Sequence, residues 1–390
     1  MSEHLMQTYA RQPVAFVRGE GVWLYDENGD KYLDAVAGVA VSGLGHGHPV
    51  LAKALCEQAA TLIHTSNLYR IPKQEQLADR LCALSGLDKA FFCNSGAEAN
   101  EAAIKLARLH GHHRGIDNPA IVVMEKSFHG RTLATLSATG NRKVQAGFEP
   151  LVGGFVRVPF GDADAVAKLA EHHNNIVAVL VEPYQGEGGV QIPEAAYLDK
   201  LRAICDANEW LLMLDEVQTG IGRTGKWFAF QHSNSLPDVM TLAKGLGSGV
   251  PVGACLARGA AAEVFTYGKH GSTFGGNPFA CTAALTTLDV MAADHLPDNA
   301  VRVGQFIMDT LRKELGSVPG VKEIRGQGLI IGVELDRPCG DLVKLALAEK
   351  LLINVTSDTV VRLIPPLVMN EDEAALLTDK LAALIWAFLN

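Results

Sequence analysis

The chain has 390 residues, 48% of them hydrophobic and 20% charged, which is enough to bury a large core and fill two domains. A net charge of −9, with Lys and Arg scattered, argues against a nucleic-acid surface. No apolar run approaches membrane-spanning length, the opening MSEHLMQTYARQP lacks the pattern of a signal peptide, and seven cysteines without a CxxC pair point to reduced thiols in a cytoplasm.

Residues 1–36 read as an extended opening and a small hairpin. Residues 14–18 and 22–25 alternate, and Glu27-Asn28-Gly29-Asp30 is a turn before an extended stretch at 31–33. Residues 38–49, GVAVSGLGHGHP, form a glycine-rich loop, and Pro49 suits the first turn of the helix that follows. His46 and His48 have no carboxylate or cysteine at ligand spacing. They read as loop residues bonded to the backbone, and no metal site is expected.

After a helical stretch, apolar runs at 90–93, 121–124, 155–158, 177–182, 210–215, 239–243 and 253–257 alternate with helical segments such as 162–173 and 195–208. Continuous apolar runs are expected where both faces of a parallel sheet are covered. The alternation predicts a doubly wound α/β domain, with ligands bound beyond the carboxyl ends of its strands.

The residues with chemistry to offer fall at those ends. Ser95 and Glu98 are spaced as a capping box at a helix start, so Ser95-Gly96-Ala97 can present N–H groups and a hydroxyl to a phosphate, or can simply cap a helix. In Ser127-Phe128-His129-Gly130-Arg131-Thr132, Phe128 can lie on a planar ligand and Arg131 can fork a carboxylate, or the two can be a packed ring and a surface charge. Glu182 and Glu187 lie in EPYQGEGG, as switchable carboxylates or as turn residues. Asp215 ends a strongly apolar strand, where a buried aspartate needs a cationic or hydrogen-bonding partner; a pyridinium nitrogen is one such partner, a turn cap the other reading. Gly220-Ile221-Gly222-Arg223-Thr224-Gly225 matches GxGxxG, but a dinucleotide site needs a helix opening in that loop within a βαβ unit, whereas the next segment carries Trp227, Phe228 and Phe230 and the match falls late in the sheet, so it reads as a chance match.

The sharpest signal is 237–257, PDVMTLAKGLGSGVPVGACLA. An apolar strand ends at Lys244, where desolvation favours a neutral amine able to form a Schiff base, and the following glycines leave room for a bulky ligand. A strand-end lysine snorkelling to the surface is the other reading. Beyond Gly271-Ser272-Thr273-Phe274-Gly275-Gly276-Asn277-Pro278 comes a long helix of small residues. The remainder reads α+β, with strands at 330–334, 353–356 and 360–363 and amphipathic helices at 341–350 and 371–388. Arg362 sits on the last strand.

In this order NSGAEANEAAIKLAR, FHGRT, EPYQGEGG, LDEVQTGIGRTG, TLAKGLGSGVPVGA and GSTFGGNP resemble the class III, fold-type I aminotransferases, which use pyridoxal 5'-phosphate, and the resemblance spans essentially the whole chain. It implies a large domain over 50–275 with a mostly parallel, doubly wound sheet. A smaller α+β domain would come from both chain ends, 1–49 and 276–390. Lys244 would hold the cofactor covalently and then move a proton as general base and acid. Asp215 would pair with the pyridine nitrogen, Gln218 would contact the ring oxygen, and Val217 and Phe128 would sandwich the ring. Ser95, Gly96 and Ala97 would cradle the phosphate. Thr273 would reach the cofactor of a second subunit, implying an obligate homodimer.

On the substrate side the resemblance places Ser272 near the substrate, Tyr9 at the entrance, and Arg131 on the donor's α-carboxylate and on the distal carboxylate of glutamate. Glu187 would pair with Arg362 and move aside to free it for the α-carboxylate of glutamate. Within the family the chain is most similar to members that pass the terminal amine of N-acetylornithine to 2-oxoglutarate in arginine biosynthesis. Ornithine-specific members carry a tyrosine where alignment back from Gly45 puts Val39, and an apolar side chain suits an acylated donor. Succinylornithine, N-succinyl-diaminopimelate, ornithine and GABA stay open as donors, and a mutase or racemase on the same fold is the alternative from another class.

Overall fold

The computed structural model describes residues 4–390. Fifteen strands fall into three sheets among these residues. In chain order they are β1 (Phe16–Glu20), β2 (Trp23–Asp26), β3 (Lys31–Asp34), β4 (Lys89–Cys93), β5 (Ala120–Met124), β6 (Phe155–Val158), β7 (Ile176–Val181), β8 (Leu211–Asp215), β9 (Val239–Leu242), β10 (Gly253–Ala257), β11 (Val321–Gln327), β12 (Ile330–Leu335), β13 (Leu351–Leu352), β14 (Asn354–Thr356) and β15 (Val360–Leu363).

The central sheet has the order β4-β10-β9-β8-β7-β5-β6. Each of its strands matches an apolar run of the sequence to within one residue at either end. β9, β8, β7, β5 and β6 pair in parallel, and every residue of β5, β7, β8 and β9 is buried. This explains the unbroken apolar runs: helices cover both faces, and burying each Val, Leu or Ile side chain stabilises by roughly 1.5–3 kcal/mol. One strand departs from the parallel pattern. β10 runs antiparallel to both β4 and β9, because the short turn after Lys244 reverses the chain before a crossover helix can form. The architecture is a mostly parallel α/β sheet covered by helices, with a smaller α+β part.

That smaller part joins the chain ends. β3 pairs in parallel with β13, so the N-terminal sheet β1-β2-β3-β13 is completed by residues more than 300 positions away. The third sheet, β11-β12-β15-β14, is antiparallel. The small-residue helix Pro278–Ala293 packs on helices Pro49–Thr61 and Pro72–Ser85, beside the central sheet, whereas Leu296–Leu315 packs on β11 and on Glu371–Leu389. β11 has no counterpart among the runs read from the sequence. Its residues Lys322 and Glu323 face solvent, and only Ile324 and Arg325 are buried, so its apolar signal is too thin to read.

The glycine-rich loop 38–49 holds a feature that its glycines conceal. Ala37, Gly38, Val39 and Ala40 all have left-handed backbone, with φ of 50°, 63°, 66° and 64°. A non-glycine residue in this region costs roughly 1–2 kcal/mol, more for a branched one. The turn packs on the chain just after Lys244: a Cβ on Gly245 would stand 3.7 Å from Ala40 O. His46 is not bonded to backbone through its ring, as the sequence reading had it. Its Nε2 meets Asp34 Oδ2 at 2.8 Å, a pairing made possible by β3 folding back beside the loop.

Candidate active site

Beyond the carboxyl ends of the central strands lies a cavity of about 430 Å³. Five of the seven strands lead to residues that line it. β4 leads to Ser95-Gly96-Ala97, β5 to Phe128 and Arg131, β7 to Glu182, β8 to Asp215, Val217 and Gln218, and β9 to Lys244. Residues scattered over 150 positions meet because parallel strands deliver their ends to one side of the sheet.

Lys244 turns its amine into the cavity from a left-handed residue, φ 41°, at the second position after β9. Burial pushes its pKa below the ordinary 10.5, and the Arg362 charge adds to the push while Glu187 opposes it. The structure therefore favours the nucleophilic amine over a surface cation.

Asp215 is 3% exposed and every bond it makes is as an acceptor. Oδ2 accepts from Asn100 Nδ2 at 2.7 Å and meets His129 Nδ1 at 2.8 Å, and Oδ1 accepts from Val217 N at 3.0 Å. Asn100 is in turn held by Thr241 Oγ1, which donates to its Oδ1 at 2.7 Å. These partners fix the position and direction of the buried carboxylate.

The helix Gly96–His113 starts at the cavity, where its first backbone N–H groups could hold a phosphate. Ser95 Oγ accepts from Glu98 N at 3.2 Å, as the capping-box spacing predicts. The return bond differs: the Glu98 carboxylate reaches Asn94 N and its side chain, one residue before Ser95. A Cβ on Gly96 would stand 2.7 Å from Val217 Cγ1, so only glycine lets the backbone N–H groups approach beneath Val217. Val217 and Phe128 both line the cavity, and the Arg131 guanidinium lies 5.6 Å from the Phe128 ring centre, exposed at the rim.

Arg362 is fully buried beside the cavity, 1% exposed. Its Nη1 donates to Glu187 Oε1 at 2.7 Å and to Gln218 Oε1 at 3.2 Å. Burial raises the Glu187 carboxyl, but the Arg362 charge and hydrogen bond outweigh it and hold the pKa below the usual range. Gln218 reaches this position because residue 186 is glycine; a Cβ there would overlap its side-chain oxygen.

The other residues singled out in the sequence lie elsewhere. Ser272 and Thr273 line a separate hollow with Phe91, Asn94 and Glu98. Ser272 Oγ accepts from Gly275 N at 2.9 Å, and Thr273 is exposed. Tyr9 is 72% exposed, with Arg11 over its ring at 5.6 Å, and does not line the cavity. Val39 packs with Ala40, Val190, Ile330 and Ile364, while Val41, two residues on, lines the cavity. The GxGxxG match is a turn without a helix, and its Arg223 is buried.

Two residues that the sequence reading did not assign, and Glu182, which it left between a switchable carboxylate and a turn residue, join the site. Asn100 and His129 hold Asp215, and Glu182 lines the cavity with its Oε2 accepting from Phe128 N at 3.1 Å. Burial, then the nearby Asp215 charge, pushes the Glu182 carboxyl well above its ordinary value. Glu182 carries the same mark as Asp215, an acid closing an apolar run. Asn100 carries a weaker one, its place one helical turn after Gly96 on the buried face.

A buried acceptor-only aspartate, a partly desolvated lysine, a glycine-floored helix start and two flat apolar walls fit pyridoxal phosphate. The family profile Aminotransferase class-III matches residues 6–385, and the chain belongs to that family of pyridoxal-phosphate-dependent enzymes. It is 65% identical over 386 residues to the acetylornithine aminotransferase of Nitrosomonas europaea, covering 99% of this chain and 98% of that one. Among solved structures, the ornithine aminotransferase of Toxoplasma gondii, crystallised with partial occupancy of PLP at its active site, superposes with a TM-score of 0.95 at 36% identity, covering 99% of this chain and 92% of that one. The acetylornithine aminotransferase of Elizabethkingia anophelis superposes with a TM-score of 0.88 at 35% identity, over 99% and 97%.

Proposed function

We propose that this enzyme moves the terminal amino group of N2-acetyl-L-ornithine to 2-oxoglutarate, giving N-acetyl-L-glutamate 5-semialdehyde and L-glutamate, a step of arginine biosynthesis. The observation that carries the reading is full-length identity of 65% to a relative of that name, with Lys244 and Arg131 lining one cavity and Arg362 bonded to Glu187 at its edge. Ornithine as donor is the second reading, favoured by the ornithine aminotransferases among the structural neighbours.

When bound, pyridoxal phosphate supplies an electron sink and a temporary carrier for the amino group. The protein's residues do the rest. Lys244 Nζ holds the cofactor, then takes the proton from the donor carbon that bears the amine and returns it across the site. Asp215, fixed by Asn100, His129 and Val217, would be the partner of the pyridine nitrogen. Gly96 and Ala97 would offer N–H groups to the phosphate, Ser95 a hydroxyl, and Gln218 would contact the ring oxygen. Arg131 takes the donor's α-carboxylate and later the distal carboxylate of glutamate. Glu187 covers Arg362 during the donor half-reaction and releases it for the α-carboxylate of glutamate.

The active unit is proposed to be a homodimer in which Thr273 meets the cofactor of the other subunit and Ser272 lies near its substrate. Thr273 is exposed next to the exposed Phe274, and Asn67, in a segment whose Leu68 and Tyr69 are also exposed, donates to Ser272 O and Gly275 O at 3.0 Å each; exposed apolar side chains on segments so joined favour a partner that covers them. Tyr9 is assigned to the entrance, and an apolar wall at Val39 and Val41 to the acylated donor. The domain boundary is placed at 49/50 from the sequence and near His295 instead of 275/276, because helix Pro278–Ala293 packs beside the central sheet. A cytoplasmic location is favoured by seven free cysteines, and no helix of the described residues is long and apolar enough to cross a membrane.

The test is a half-reaction without keto acid. The visible band of the bound cofactor is followed with N-acetylornithine and with ornithine. Faster conversion by N-acetylornithine supports the proposal; faster conversion by ornithine replaces it with the second reading. Lys244→Ala, folded and loaded with cofactor, is expected to convert neither donor.

A further inference from the structure

The loop that carries Glu187 is pinned along its backbone. Its neck is closed by Gln185 N to Gln191 O at 3.1 Å and Gln191 N to Gln185 O at 3.0 Å. Three carbonyls inside it accept from the C-terminal part of the chain. Glu187 O accepts from Thr356 Oγ1 and, at 3.2 Å, from Ser357 Oγ. Arg325 donates to Gly189 O at 2.6 Å and to Val190 O at 2.8 Å, and is itself held by Glu323 and Glu334 at 2.7 Å each.

Thr356 ends β14. The chain then reverses through Ser357 and Asp358, both left-handed with φ of 49° and 63°, and returns along β15 to Arg362, which stands opposite Asn354. Arg362 Nε donates to Asn354 Oδ1 at 3.2 Å. One hairpin therefore presents the guanidinium that binds the Glu187 carboxylate and the hydroxyls that bind the Glu187 carbonyl.

We propose that the hairpin 354–363 is a bracket that fixes the Glu187 backbone against Arg362, so that exchange between the two substrates is a swing of the carboxylate alone, and that Thr356 and Ser357 are positioning residues that set the preference between the terminal-amine donor and glutamate. This rests on the Glu187–Arg362 exchange put forward above. Moving the loop as a body would break the carbonyl bonds to Thr356, Ser357 and Arg325 together. Swinging the side chain breaks one charged contact, which the α-carboxylate of the incoming substrate replaces on Arg362, and the carboxylate already borders the cavity it would enter. Without the hydroxyls the Glu187 backbone drifts, its carboxylate leaves Arg362 more often, and glutamate gains on the donor.

The experiment uses the holoenzyme with Thr356→Val, Ser357→Ala, the double variant, Thr356→Ser and Glu187→Gln. The quantity read is kcat/KM for glutamate divided by kcat/KM for N-acetylornithine, each from its own half-reaction. The double variant is expected to raise this ratio about fivefold or more, the scale of a neutral hydrogen bond, while Thr356→Ser leaves it near the wild-type value. A folded double variant with an unchanged ratio, beside a Glu187→Gln whose ratio moves, overturns the bracket and leaves the exchange standing. An unchanged ratio in Glu187→Gln overturns the exchange and the bracket with it. Ser357→Ala changes an exposed hydroxyl and keeps the test open if Thr356→Val does not fold; an unchanged ratio there, with Glu187→Gln effective, again overturns the bracket.

Discussion

Asn100 donates to Asp215 Oδ2 at 2.7 Å while its own oxygen accepts from Thr241 at 2.7 Å. The amide thus has one orientation, and it offers the aspartate a donor in the absence of solvent. A hydrogen bond to a charged group is worth about 1.5–3 kcal/mol. Asn100→Ala is expected to fold, to bind pyridoxal phosphate at least about tenfold more weakly and to lower kcat by a similar factor. Cofactor titration by absorbance and steady-state rates at saturating cofactor separate the two effects. A variant that binds and turns over as the wild type does would show that His129 and Val217 suffice.

Gly96 and Val217 are fitted to each other, with 2.7 Å between the place of a Cβ and Val217 Cγ1. Gly96→Ala is expected to destabilise by about 1–3 kcal/mol through overpacking and to weaken cofactor binding. Val217→Ala opens the space. The double variant should recover part of the stability lost by Gly96→Ala, read as a non-additive shift in urea midpoint.

Glu216 is fully buried next to Asp215 and accepts from Thr219 Oγ1, Ala229 N and Phe230 N. Burial pushes its pKa up to about 7 in spite of those donors, from an ordinary 4.5. Between these two values the folded state binds a proton that the unfolded state releases, so this group's contribution to stability falls as pH rises from about 4.5 to 7. Glu216→Gln removes the titration. The variant should gain on the wild type by on the order of 2 kcal/mol between pH 5 and pH 8, whatever its starting offset. Parallel urea midpoints for the two proteins would contradict this.

Arg223 is buried with no carboxylate at hand. It donates Nη1 to Leu329 O at 3.0 Å and to Pro365 O at 2.5 Å, and burial pushes its pKa down to about 9. It ties the turn after Asp215 to the C-terminal sheet. Arg223→Met strips two buried carbonyls of a donor, and a loss of about 2–4 kcal/mol is expected. Chemical denaturation measures it; a loss below about 1 kcal/mol would mean that water or a backbone shift satisfies those carbonyls.

The central sheet was legible because its strands are buried on both faces. A run such as IVAVLV can be read without knowing its neighbours, and so can an acid or a lysine that closes one. That Lys244, Asp215 and Gly96 lie at the ends of such runs, where they line the cavity, was legible for that reason. β11 was not, because its neighbours supply most of the burial and leave only a short apolar signal.

What local pattern left open, long-range contact decided. No property of positions 37–40 announces a left-handed turn, which persists because the chain after Lys244 packs against it. The reversal of β10, the pairing of β3 with β13, and the choice of Asn100 and His129 as the holders of Asp215 each join segments far apart in the chain. So does the meeting of Glu187 with Arg362 under the hydroxyls of Thr356 and Ser357. The sequence by itself determined which chemical groups lie at the ends of which strands, since burial and periodicity are local. Only the tertiary structure decided which of those groups share a hydrogen bond, because direction and distance between remote segments are set by packing.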